Sequence, residues 1–130
     1  MNRLVALLLV VLWMPWIVAC SGSNTSPTAA TTDTFTGTLA QGTENSYNFT
    51  TSGSGTVTVT ATSLSPQLAI GLGVGTVSGT TCSATTENAA VQQSGTVTMT
   101  ASSASTYCAI VYDSGTLTQS VAYTITVAHP

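Results

Sequence analysis

The run Thr56-Val57-Thr58-Val59-Thr60-Ala61-Thr62 alternates with period two and without interruption. Val57, Val59 and Ala61 fall on one face, and only threonine falls on the other. Successive strand side chains point to opposite faces, so this pattern specifies a half-buried strand with a β-branched polar side. Thr96 to Ala101 repeats it, with Val97, Met99 and Ala101 inward, and Ala122 to Val127 places Tyr123, Ile125 and Val127 inward. Thr34 to Leu39, Ser46 to Thr51 (Tyr47 and Phe49 sharing a face) and Thr106 to Tyr112 are shorter strand candidates. Leu68 to Val74 alternates apolar residues with Gly71 and Gly73, which predicts a neighbour pressed close to the glycine side. Turn signals separate these runs at Ser52-Gly53-Ser54-Gly55, Leu64-Ser65-Pro66, Gln93-Ser94-Gly95 and Asp113-Ser114-Gly115. No segment carries sustained helical periodicity with caps. About seven short strands at this spacing predict an all-β fold, a single small antiparallel β-sandwich of jelly-roll or immunoglobulin-like arrangement. The similar segments Gly55–Ala61 and Gly95–Ala101 read as two amphipathic strands launched from glycine turns, because their flanks do not match.

The N-terminus follows different rules. Met1-Asn2-Arg3 is a short positive segment, Leu4 to Val18 is almost wholly apolar, and Ala19-Cys20 precedes a polar stretch. This is the layout of a secretory signal. A membrane-spanning helix needs about 20 apolar residues; this run is shorter and contains Pro15. Ile17-Val18-Ala19-Cys20 resembles the lipobox of bacterial lipoproteins. The resemblance implies cleavage before Cys20 and acylation of that cysteine, since stable anchoring takes more than one acyl chain. An ordinary signal with a chance cysteine is the alternative. By the same resemblance Ser21, standing where an inner-membrane lipoprotein has Asp, favours the outer membrane of a Gram-negative cell. The expected organisation is a signal peptide over 1–19, a lipidated cysteine and flexible Ser/Thr linker over 20–32, and the β-sandwich over 33–130, held in the cell envelope.

Charge is scarce in these 130 residues: Arg3 is the only Lys or Arg, His129 the only histidine, and Asp33, Glu44, Glu87 and Asp113 the only acids. Affinity for a phosphate backbone scales with the number of Lys and Arg contacts, so nucleic acid is excluded as a partner. No two acids lie close in sequence, so neither a metal site nor a pair of converging catalytic carboxylates is expected, and no cofactor. Glu44, Glu87 and Asp113 read as turn residues and Asp33 as the linker junction. Asp113 before Ser114-Gly115 suits the first position of a β-turn. His129, next to the last residue, reads as exposed or packed on a strand end and not as the base of a nucleophilic triad. The expected protein is non-catalytic, a hydrolase being the alternative that a His129 bonded to a Ser or Thr in a pocket would revive. Outside the cytoplasm Cys82 and Cys108 would pair as a disulfide, the alternative being two unpaired buried thiols. Aromatic residues can stack on sugars, and Tyr107, Tyr112 and Asp113 are the candidate ligand contacts for a glycan or polymer-binding role, the alternative to a purely structural or interaction module.

The segments Phe35-Thr36-Gly37-Thr38-Leu39, Tyr47-Asn48-Phe49, Gly55 to Thr60, Thr106 to Asp113 and Tyr123 to Val127 together resemble the bacterial pre-peptidase C-terminal type of β-sandwich domain. The resemblance runs along nearly the whole chain after the linker. It implies a non-catalytic accessory module of secreted and surface proteins. The chain departs from that pattern in lacking its acidic positions and in carrying the Cys82/Cys108 pair. The expected form is therefore a stand-alone surface lipoprotein with the membrane, an envelope protein or a glycan as partner.

Overall fold

A computed structural model describes residues 29–130. The expected signal peptide, Cys20 and most of the linker lie outside the described residues. Eight strands follow one another: β1 (Thr31–Leu39), β2 (Glu44–Thr50), β3 (Gly55–Ser65), β4 (Ile70–Ser78), β5 (Thr81–Val91), β6 (Thr96–Ala101), β7 (Thr106–Tyr112) and β8 (Val121–His129). They form two four-stranded sheets, ordered β1-β8-β3-β6 and β2-β7-β4-β5, with every pairing antiparallel. The pairs β1 with β8, β2 with β7, β3 with β6 and β4 with β5 describe one long hairpin ribbon, rolled so that successive pairs alternate between sheets. This is the double-sheet jelly roll, one of the two arrangements left open for the predicted sandwich.

The inner faces follow the period-two pattern. Val57, Val59, Ala61, Val97, Ala101, Tyr123, Ile125 and Val127 come from one sheet, and Ile70, Leu72, Val74, Ala109 and Val111 from the other; all are buried. Burying a Val, Leu or Ile side chain is worth about 1.5–3 kcal/mol, and this core is the main source of stability in a domain with no Lys or Arg. An aromatic cluster closes the β1/β2 side. Phe35 stacks on Tyr47 at 4.7 Å, Tyr47 meets Tyr123 edge-on at 6.4 Å, and the Tyr47 and Tyr123 hydroxyls are 2.6 Å apart. Gly37 leaves the space those two hydroxyls occupy.

The glycine side of β4 is covered as predicted. The ring of Tyr112 lies against Gly71, the Ile110 side chain against Gly73, and the backbone of Ser83 against Gly75, where a Cβ would overlap the Ser83 carbonyl. Cys82 and Cys108 form a disulfide with a Cα–Cα distance of 5.8 Å. These cysteines sit on β5 and β7, which are separated in the sheet by β4. Gly75 is opposite Cys108 in register. A side chain there would block the path by which β5 leans across β4 to reach β7.

Three expectations need correction. β1 begins at Thr31, ahead of the expected boundary at 33. Glu44 opens β2 rather than lying in a turn, and Asn45 points between the sheets, donating to Tyr123 Oη at 2.8 Å. Glu87 is not in a turn but within β5, opposite Gly73. β5 itself carried no signal, because this edge strand is exposed on both faces from Thr85 to Ala90 and so has no apolar alternation to display.

The outer face of the β1-β8-β3-β6 sheet is a threonine grid. Thr34, Thr126, Thr60 and Thr96 stand in one register across all four strands, and Thr32, Ala128, Thr58 and Thr98 in the next but one.

Candidate functional sites at the two ends of the sandwich

The ionisable residues divide between the ends of the molecule. Glu44, Glu87 and Asp113 gather around Tyr112, whereas Asp33 and His129 lie at the opposite end, where Thr31 is in register with His129 and the chain enters β1.

At the Tyr112 end, Asp113 acts as a structural acceptor. Its Oδ1 receives the amides of Gly115, Thr116 and Leu117 at 2.8, 3.0 and 3.1 Å, and its Oδ2 receives the Gly42 amide at 2.8 Å. The Gly42 amide, followed by the other three, holds the carboxyl pKa below its ordinary value. Asp113 thereby bonds the backbone of its own loop and also ties the 113–117 loop to the β1–β2 loop. Its lone pairs are directed at backbone, which takes it out of the set of free ligand contacts. Tyr112 is half-buried, resting on Gly71, with Glu44 as its cross-strand partner. Burial raises its hydroxyl pKa, and the Glu87 carboxylate beside it adds to the rise. Tyr107 faces the core: its ring is 4% exposed and stacks on Phe49 at 6.2 Å. Its hydroxyl donates to Ser103 O at 3.3 Å and accepts the Ser102 amide at 3.2 Å; hydrogen bonding at Ser102 lowers its pKa. Of the three candidate ligand contacts, Tyr112 alone keeps part of its ring at the surface, and Tyr107 and Asp113 are committed to the fold.

At the other end His129 is buried, 4% exposed, on the inner face of β8. Its Nε2 is 3.2 Å from Asp33 Oδ2 and its Nδ1 is 3.1 Å from Pro130 O, with the Phe49 ring at 5.1 Å. The carbonyl of Pro130 also accepts the Ser52 amide at 2.9 Å. The two ring nitrogens face the carboxylate and the carbonyl, so the histidine closes the β1/β8 end with neither nitrogen directed at a Ser or Thr hydroxyl. Alternation would have found this pair: His129 continues the inward series Tyr123, Ile125, Val127, and Asp33 continues Phe35, Gly37, Leu39. Beside it lies a cavity of about 300 Å³ lined by Ala30, Ser54, Gly55, Thr56, Thr58, Ala128, His129 and Pro130. Its walls carry hydroxyls and small apolar groups, with His129 among the lining residues. Among the described residues no three His, Cys, Asp or Glu side chains converge to hold a metal ion, and no helix is long and apolar enough to cross a membrane.

No protein-family model matches the chain, and no curated protein does either.

Proposed function

We propose that the protein is a lipid-anchored, non-catalytic module of the bacterial cell envelope, akin to the pre-peptidase C-terminal type of sandwich, with a structural or interaction role. The observation that carries this reading is the Cys82–Cys108 disulfide. Such bonds persist in oxidising compartments and are rare in the cytosol, so a domain stapled in this way belongs outside it. An exported chain with this bond has one cysteine left over, Cys20, at the end of the apolar leader and within the lipobox-like Ile17-Val18-Ala19-Cys20.

The distribution of charge supports the same reading. The tether enters β1 at the His129 end, where the one nearby carboxylate, Asp33, is paired with a histidine. The three acids without such a partner are at the far end. An anchored domain therefore turns its least acidic end to a membrane whose surface is itself anionic, which keeps like charges apart. The neutral threonine face lies along the side of the sandwich, available to an envelope partner.

Metabolic labelling with an alkyne analogue of palmitate tests the anchor. The wild-type chain takes up label and fractionates with membranes, whereas Cys20→Ala does neither. Equal labelling of both would remove the anchor from the account.

A further inference from the structure

The sandwich has four edge strands, β1 and β6 on one sheet and β2 and β5 on the other. An edge exposes unpaired backbone N–H and C=O groups, and proteins guard edges with charge, proline or bulges. Three of the four are guarded here. β1 carries Asp33 and β2 carries Glu44. β5 carries Glu87, is interrupted by two shifts of register against β4, and is tied down by Cys82. β6, Thr96-Val97-Thr98-Met99-Thr100-Ala101, has no charge, no proline and an unbroken register with β3. Its only ladder partner is β3.

We infer that β6 is an interaction surface whose occupant is β6 of a second copy of this chain, joined edge to edge in antiparallel fashion. Three observations choose a second copy. First, the strand is complementary to itself. A two-fold axis at Thr98 sets Thr96 opposite Thr100 and Val97 opposite Met99, so hydroxyls meet hydroxyls on the outer face and apolar groups meet on the inner face, an isologous contact. Cross-strand Thr–Thr pairs are favourable. Second, the charge pattern disfavours the alternatives. The domain is acidic with no Lys or Arg, so pairing through β1, β2 or β5 brings carboxylates toward one another with no cation to offset them, and β6–β6 brings none. Third, the threonine rows run to the β6 edge: Thr34, Thr126, Thr60 and Thr96 line up across the sheet. Joining two copies continues this grid into a sheet of twice the width. Copies held on one membrane surface meet at high effective concentration, which favours so small a contact.

The test uses the full-length chain in the cell envelope. Thr98→Cys and, on the opposite edge of the same sheet, Thr34→Cys are each treated with a short bis-maleimide, and the products are separated by denaturing electrophoresis. Thr98→Cys gives a product of twice the chain mass and Thr34→Cys stays at the single-chain mass. In a companion experiment two differently tagged copies are co-expressed. Recovery of one with the other falls by about tenfold for Thr98→Lys, because the two-fold axis sets lysine against lysine, and is unchanged for Thr34→Lys. No dimer at Thr98→Cys, equal yields at both edges, or an adduct heavier than two chains would each overturn the assignment.

Discussion

At the scale of single residues, polar groups in this domain are consumed by backbone. Asp113 shows it most fully: one carboxylate takes four amide hydrogens and joins two loops. Those bonds favour the charged form and hold its pKa below the ordinary 3.8. The sign follows from linkage. A carboxyl whose folded pKa lies below its unfolded value stabilises the fold fully above the unfolded value, and that contribution is lost as pH falls toward the folded one. Urea unfolding of the wild type should therefore lose stability as pH drops below about 4, and Asp113→Ala should be less stable at neutral pH with a shallower acid decline. Equal pH slopes for the two proteins would show that Asp113 does not contribute. Residue identity was legible in the sequence where a turn or a close contact demanded it, as at Asp113 and at the glycines of β4. It was not legible for Asn45, whose amide bonds the Tyr123 hydroxyl across 78 positions of sequence. No local pattern encodes so distant a partner.

At the scale of elements, what alternation could reveal was set by burial. Strands with one buried face announced themselves: β3, β6 and β8 follow the sequence pattern residue by residue. β5 did not, being exposed on both faces over much of its length. What holds β5 in place is the leaning contact over Gly75 and the bond from Cys82 to Cys108. Closing a loop of 26 residues restricts the unfolded chain by about 3.5 kcal/mol in the chain-entropy model. The double variant Cys82→Ser/Cys108→Ser should lower the midpoint of thermal unfolding by about 15 °C or more, as expected for a domain of this size. Amide exchange should rise first in β5, while β3 and β8 remain protected. A shift of only a degree or two, with β5 still protected, would mean that the register with β4 alone secures the strand.

At the scale of the whole molecule, the fold is one ribbon rolled into two sheets, with a neutral threonine side, a carboxylate end and a histidine-closed end where the chain enters. The sandwich architecture was readable because a small all-β chain must bury alternate residues of many short strands against each other. The order of strands was not, since the pairings β1 with β8 and β3 with β8 depend on contacts between distant parts of the chain. Neither was the separation of charge, which exists only after β2, β5 and β7 bring Glu44, Glu87 and Tyr112 together. That separation gives the molecule a direction, and the lipid anchor proposed above would give the direction a use. The intact mass of the protein extracted from cell envelopes tests both halves of this account at once. The account predicts a chain that begins at Cys20, carries acyl groups on that residue, and lacks the two hydrogens lost when Cys82 and Cys108 join. A mass equal to the unprocessed chain, with residues 1–19 retained and all three cysteines as free thiols, would contradict it.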